Sequence, residues 1–522
     1  MKKFFAWMLC IAMLLSLVAC GGAGGSSSQE EESNRQESST QEGGSSAASS
    51  LPDEPVTLSV NLHSWTPTIN TEPTEESPTV RLVGTAVLEQ WLADKPNVTV
   101  EWHRNVVLND ATSARENMNI LVNAGTAPDI FFAWGNFFND QGWLCNLSDV
   151  LETPNYYEEG NQKWIDQFPE YLWEADQMTM NVKGDKLAVP FSLYPGSSVA
   201  YFYNVDLFEQ YGKSVPATYQ ELCDTALFFK EEGYTGVAPW SGLPKVDSSD
   251  WLFWSSLCPA YAVGYESIDA DGDEVVNMEE NLRAAFKGMF YAQPNENVQE
   301  VFRQFKYNKV EILDQGWEGI DYTTPWMQGE VAMKLDGLWS LAGEASNTGR
   351  GFDFDLFVPP LVSTDTYDKV RVPEYTEAGP YEPDIEVAFN IMKPEIQNRP
   401  AANFDYAADF LKCMTATENI SMFLEETGST LGATKTCAVP AGLAGWVTRP
   451  FPKPLIGSIN VTGFSSTSTE PRNKLLEQYV KDMITEEEFF KQWDAECWRD
   501  YNAYAEEQGV DVSDWEKVEP LQ

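Results

Sequence analysis

Histidine is almost missing from this chain: only His63 and His103 occur in 522 residues. That scarcity excludes imidazole-rich metal sites and most histidine-based catalytic triads. Cysteine is sparse as well. Setting aside Cys10 and Cys20 near the N-terminus, Cys145, Cys223, Cys258, Cys413, Cys437 and Cys497 are scattered with no C-x-x-C pair. Neither a zinc site nor a dithiol redox motif is supported. Mostly buried free thiols are expected, with Cys413–Cys437 the pair if one forms. Basic residues are few, 34 Lys and Arg against 80 Asp and Glu. A surface of that sign argues against nucleic acid and polyanionic ligands, which need Lys/Arg patches. Beyond the first 20 residues no apolar run approaches a membrane span. The nucleophile-elbow, zinc-protease, P-loop and dinucleotide-binding motifs are also absent.

What is present begins at the N-terminus. Lys2 and Lys3 precede an apolar run from Phe4 to Val18 that is too short for a permanent span and has the layout of a secretory signal. The closing Leu17-Val18-Ala19-Cys20 resembles the lipobox of bacterial lipoproteins. The resemblance implies that residues 1–19 are removed and that a lipidated Cys20 anchors the protein to the outer face of the cytoplasmic membrane. Residues 20–54 are mostly Gly, Ser, Gln, Glu and Ala with no aromatic residue, a composition that cannot bury enough apolar surface to order itself. They read as a flexible tether. Loss of Lys2 and Lys3 leaves 32 basic against 80 acidic side chains, a net charge of about −48.

The remainder alternates strand and helix signals. Val56, Leu58, Val60 and Leu62 recur at period two; Val80, Val83, Val87, Leu88, Trp91 and Leu92 recur at helical spacing before Pro96. Val98, Val100 and Trp102 form a second strand, residues 110–123 a helix, and Pro128-Asp129-Ile130-Phe131-Phe132 a short apolar run of the buried parallel-strand kind. Further on, residues 199–203 read as a strand, and Thr218-x-x-Glu221 and Thr485-x-x-Glu488 as capping boxes. Leu475, Leu476, Tyr479, Val480, Met483 and Ile484 mark a helical stripe. This rhythm predicts α/β architecture with parallel pairing.

Several segments together resemble the extracellular solute-binding proteins of ABC importers, in the branch that includes maltose-binding protein. They are Leu121-Val-Asn-Ala-Gly-Thr-Ala-Pro-Asp-Ile-Phe with Gly142-Trp-Leu-Cys-Asn-Leu, then Gly184-Asp-Lys-Leu-Ala-Val-Pro with Tyr203-Asn-Val-Asp-Leu-Phe, and Val215-Pro-Ala-Thr-Tyr-Gln-Glu-Leu. Gln328-Gly-Glu-Val-Ala-Met through Asp336-Gly-Leu-Trp339, then Ala401 to Thr417 and Glu425-Glu-Thr-Gly-Ser, complete the series. The resemblance implies a two-lobed, type II-like periplasmic-binding-protein fold with discontinuous lobes and C-terminal helices. By analogy the first lobe takes residues 55–187 and 386–438, and the second 188–385 and 439–522. It further implies a monomer without cofactor that captures a ligand between the lobes and presents it to the transmembrane subunits of an ABC permease. A cell-surface glycan-processing enzyme and a sugar-sensing lipoprotein are the alternatives.

A sugar ligand is suggested by tryptophans placed in loops after strands, where an indole can pack on the C–H face of a pyranose. Trp65, Trp134, Trp240 and Trp339 are the candidate platforms, and the resemblance places sugar-stacking aromatics near the last three. Asp336, Asn136, Ser64 and Ser197 are candidate hydroxyl partners, and Asp129 is either a partner or the holder of its own turn. Trp91, Trp493 and Trp498 fall on helical stripes and are assigned to the core. The number of platforms on both lobes, and the Tyr-, Pro- and acid-rich insertion over 362–383, point to an oligosaccharide rather than a monosaccharide.

One constellation allows a metal. Asp269, Asp271, Asp273, Asn277 and Glu280 take the ligand spacing of a calcium loop. Glu274 stands where that loop needs glycine, so a plain turn leading into a helix near Met278 is preferred, and no metal is assigned. Limited proteolysis is expected to trim the tether and leave a resistant core beginning near Leu51, which N-terminal sequencing of the digest would read directly.

Overall fold

The computed structural model describes residues 51–521 apart from 75–78, 105–110, 133–137, 139–140, 174–178, 182–183, 195–198, 239–267, 269, 271–277, 314–321, 347–348, 358, 361, 363–365, 367–384 and 445–468. Among the described residues ten strands occur in chain order: β1 (Val56–Val60), β2 (Val98–Trp102), β3 (Ile130–Phe132), β4 (Ala188–Leu193), β5 (Val199–Asn204), β6 (Thr235–Ala238), β7 (Val331–Gly337), β8 (Phe354–Phe357), β9 (Ile385–Ile391) and β10 (Leu431–Gly432). They form two sheets, in the orders β10-β4-β9-β3-β1-β2 and β6-β7-β5-β8.

In the first sheet β1 pairs in parallel with β2 and β3, as the alternating strand and helix signals require. β9 runs antiparallel to both β3 and β4. The chain leaves this sheet at Leu193 and returns to it at Ile385, so the first lobe is built from discontinuous segments. The expected boundary after residue 187 falls one strand too early. Ala188–Leu193 is buried along its whole length and pairs with β9, and its apolar run gave no sign of which sheet it would join.

In the second sheet β7 is central, parallel to β6 and antiparallel to β5, and buried at every position. Behind it the C-terminal helices Thr469–Val480 and Glu486–Gln508 bury Leu475, Leu476, Tyr479, Phe489, Phe490 and Trp493 in a single core with Phe302 and Phe305. The Thr218 and Thr485 hydroxyls cap their helices by accepting from the backbone N–H of Glu221 and Glu488, each at 3.2 Å. The stripe continuing to Met483 and Ile484 does not extend the helix. Asp482 turns left-handed at φ 54°, and Met483 is 66 % exposed beyond it.

Polar groups tie the returning segment to the first one. Asp129, 1 % exposed, accepts from the Ser59 backbone N–H at 2.7 Å and the Asn403 amide at 3.3 Å, and pairs with Arg399. It holds β1, the start of β3 and the returning helix together, which makes it a turn and lobe anchor rather than a ligand partner. Trp91 likewise donates its indole N–H to Asp409 at 2.8 Å. Replacing Asp129 with alanine strands a partly buried guanidinium and is expected to cost about 3 kcal/mol or more in urea denaturation. A loss under about 1 kcal/mol would show that the anchor is dispensable.

Candidate functional site

The pairing directions place the site. β1, β2, β3 and β4 end at one edge of the first sheet, where β9 begins. β6, β7 and β8 end at one edge of the second sheet, where β5 begins. The chain passes from the end of β4 to the start of β5 and from the end of β8 to the start of β9, so these two crossings join the two edges; a third follows β10, where the chain leaves the first sheet for the second lobe and its C-terminal helices. Ligands of open α/β sheets lie at the carboxyl ends of strands. The two edges and their crossings therefore define the candidate cleft.

On the second edge Trp339 follows β7 and is half-buried. Its indole lies over Gly337, where an added Cβ would fall 2.2 Å from the ring. Beneath it runs a buried chain of charges. Lys334 Nζ lies 2.9 Å from Asp336 and 2.6 Å from Glu344, and Arg350 lies 2.9 Å from Glu344. The Trp326 indole N–H donates to Glu344 at 3.0 Å. Asp336 is 4 % exposed, and its other oxygen accepts from the Gly337 backbone N–H at 2.7 Å. Its carboxylate is thus spent on Lys334 and on the turn that carries Trp339, which corrects the expectation of a ligand hydroxyl partner. The role is to place the neighbour, not to face the cleft.

At the first crossing Tyr194 follows β4 and is also half-buried, with its ring centroid 6.1 Å from that of Trp339 at a 54° tilt. Aromatic rings at that separation attract each other beyond simple burial. An aromatic pair therefore bridges the crossing and the second edge. Sequence reasoning missed Tyr194 because the lobe boundary was set before β4. The signal was an aromatic followed by Pro195 directly after an apolar strand.

The first edge carries His63 and Ser64 just beyond β1. His63 adopts φ 52° and sets its ring edge-on to Phe132 at 4.6 Å. The Ser64 hydroxyl is exposed, 2.8 Å from His63 Nδ1. Trp65 is another matter. It is 1 % exposed, donates its indole N–H to the Phe423 carbonyl at 2.8 Å and packs against Phe191. This corrects its reading as a sugar platform: the short 3-10 turn His63–Trp65 points the indole into the lobe core. Trp134, Asn136, Trp240 and Ser197 lie outside the described residues, as does Cys20.

No metal-binding cluster occurs among the described residues. Asp269, Asp271, Asp273 and Asn277 lie outside them, while the Glu280 carboxylate is buried and accepts from the Ala270 backbone N–H at 2.6 Å. Cys413 and Cys437 are free rather than paired: Cys413 takes an Asn419 amide contact at 3.3 Å and Cys437 lies 3.6 Å from the Ser421 hydroxyl. Cys145, Cys223 and Cys497 are free and buried as well, and Cys258 lies outside the described residues. Burial pushes the Cys145, Cys223 and Cys413 thiols up to about 12, which leaves them unreactive. Burial also lowers the His103 imidazole below its ordinary value, favouring the neutral ring.

The family model for bacterial extracellular solute-binding proteins matches residues 93–449. The chain belongs to that family. It is a family of binding proteins, and membership implies an exported protein. No curated protein matches the sequence. Among solved structures, one described as a chitin oligosaccharide binding protein superposes with a TM-score of 0.59 at 15% identity, covering 86% of this chain and 99% of its own. Maltose-bound MalE3 of T. maritima gives 0.55 at 16% identity, with coverage of 85% and 99%. A structure from work on xylan utilization by Caldanaerobius polysaccharolyticus gives 0.53 at 18%, with coverage of 84% and 99%. These likenesses establish the two-lobed fold.

The contact between Gly337 and Trp339 yields a direct test. Gly337→Ala forces the indole off its seat, so it is expected to shift intrinsic tryptophan emission while the protein remains folded by circular dichroism. An unchanged emission spectrum would show that the ring accommodates the extra methyl group.

Proposed function

We propose that this solute-binding protein captures a carbohydrate, an oligosaccharide of two or more rings, between its lobes and delivers it to an ABC permease. It does so from the membrane surface, held by lipidated Cys20 and the tether of residues 20–54. The observation that carries the ligand class is the Tyr194–Trp339 pair at the junction of a crossing with a strand-end edge. Two half-buried aromatic rings in such a place offer stacking surface to a sugar ring, and the exposed Ser64 hydroxyl offers a rim hydrogen bond. Trp240, Trp134, Asn136 and Ser197 are proposed to complete the lining. Relatives of the same fold described as binding chitin oligosaccharide or maltose support the choice of sugars.

The work is differential affinity: a ligand touching both edges favours the closed arrangement, and no bond is broken. Neither cofactor nor nucleotide takes part in the capture step. A carbohydrate-processing enzyme is the competing reading, and product analysis separates it from capture.

A thermal-shift panel of mono- and oligosaccharides is expected to raise Tm with oligosaccharides and yield no product. Stabilisation by monosaccharides alone would remove the multi-ring reading, and turnover of any glycan would replace capture with catalysis. Against the best ligand, Trp339→Ala is expected to weaken binding by about 1–3 kcal/mol while ligand-free Tm stays nearly constant. Lost stability with retained affinity would return Trp339 to the core.

A further inference from the structure

Two of the three crossings attach to neighbouring strands, at the end of β4 and the start of β9, and one side-chain hydrogen bond joins those strands at this place. The Ser192 hydroxyl, on the fully buried penultimate residue of β4, donates to Glu386 Oε2 at 2.9 Å, on the second residue of β9. Ser192 thus immediately precedes Leu193, where the chain starts toward the second lobe, and Glu386 immediately follows Ile385, where it comes back. The register of the two strands is irregular at this place, with shifts between Pro190 and Ser192 and between Ser192 and Leu193. Regular backbone pairing is weakest where the side-chain bond is made.

Among the described residues no cation pairs with Glu386. The flanking strands β3 and β4, and β10 beyond β4, contain no titratable residue. Helix Ala402–Met414, which also packs on β9, carries Asp405, Asp409 and Lys412. Asp409 is engaged by Trp91 and Tyr157, and Lys412 by Thr153 and Pro154. Among the described residues Ser192 is the side chain that bonds to Glu386.

We propose that the Ser192–Glu386 pair is a proton-sensitive clasp at the crossings, and that Glu386 is a positioning residue that sets the angle between the lobes. The proposal rests on the reading of the fold as a cleft that closes by movement at these crossings. Its chemistry is that of a carboxyl group with one neutral donor. As the neutral acid it sits in its partly buried place without an uncompensated charge. Burial accordingly pushes the carboxyl up to about 8, and the Ser192 hydroxyl opposes that shift. Once ionised, it carries a charge that one hydroxyl cannot satisfy, and parting the crossings to admit water relieves it.

The sign follows from linkage. A carboxyl whose folded value lies above its unfolded one gives its full contribution to stability below about 4.5, and that contribution is lost as pH rises to about 8. The test is the ligand-free protein, full mature chain, as wild type, Glu386→Gln and Ser192→Ala, from pH 5 to 9. Glu386→Gln keeps the hydrogen bond and cannot ionise. Its Tm advantage over wild type is expected to widen by a few degrees between pH 5 and 8.5. By small-angle scattering, the radius of gyration of wild type is expected to rise between pH 6.5 and 9, while Glu386→Gln keeps its low-pH value. Ser192→Ala removes the group that favours the ionised form, so it is expected to move the wild-type transition to higher pH. Parallel pH profiles for wild type and Glu386→Gln overturn the proposal. A Glu386-dependent Tm profile without a change in radius overturns it too, since the pair is then structural only. If scattering responds as expected but no sugar stabilises the protein, carbohydrate capture fails while the clasp stands.

Discussion

The pairing of β4 with β9 is the constraint on which the rest of this molecule depends. It brings together residues nearly 200 positions apart in sequence, and through it the chain leaves the first sheet and returns to it at the same edge. The first lobe therefore has no complete sheet until Ile385–Ile391 is in place. The same dependence appears in polar form at Asp129, whose partners Ser59, Arg399 and Asn403 come from both segments. Such pairings carry a large loop-closure cost before they are rewarded, so the lobe is expected to form late and as a unit. The gain is architectural. Two of the three crossings between the lobes attach at this edge, beside Tyr194 and Trp339.

The second lobe solves a different problem, how to end a buried strand in a defined direction. β7 is covered on both faces, yet it carries Lys334 and Asp336. Each pays a desolvation penalty that attraction between the pair only partly offsets. Apolar residues of similar volume would serve stability as well. What the charges add is orientation: Asp336 spans Lys334 and the Gly337 N–H, and Glu344 spans Lys334, Arg350 and Trp326. The turn after β7 is thereby fixed from below, and the indole of Trp339 has one place to rest.

Much of the fold was legible because the residues that set it act locally. Period-two runs at Val56–Val60 and Val98–Trp102, the Thr218 and Thr485 caps, and the helical placement of Trp91 and Trp493 each express their own neighbourhood. The errors arose where a neighbourhood is ambiguous. A fully buried, mostly apolar hexapeptide at 188–193 fits either sheet, and the pairing that decides between them involves residues far along the chain. Trp65 follows a strand, as a platform would, but a left-handed His63 turns it inward, and no sequence pattern announces that choice. Asp336 lies within β7 rather than in the loop after it, and its carboxylate is engaged by Lys334 and the Gly337 N–H. Its engagement depends on Lys334 two residues earlier, a same-face relation that a strand reading alone makes available.

The placement of the aromatic pair bears on how capture would discriminate between open and closed arrangements. Tyr194 lies in a crossing and Trp339 just after a strand adjacent to β5, so their rings meet beside that crossing. Surfaces near a hinge change separation least, and contacts there bind ligand almost equally in either arrangement. A ligand shifts an equilibrium only by the difference in its affinity for the two states. Under the capture reading, the residues that drive closure must therefore lie farther out. β1 stands two strands from β9 in the first sheet and β6 two strands from β5 in the second, each roughly 10 Å away. The end of β1 leads into His63 and Ser64. Under the capture reading a single ring seated on Tyr194 and Trp339 would leave that edge untouched, whereas a longer glycan extending outward from the pair would meet it. The division of labour thus favours an extended ligand on mechanical grounds, independently of how many tryptophans the chain contains.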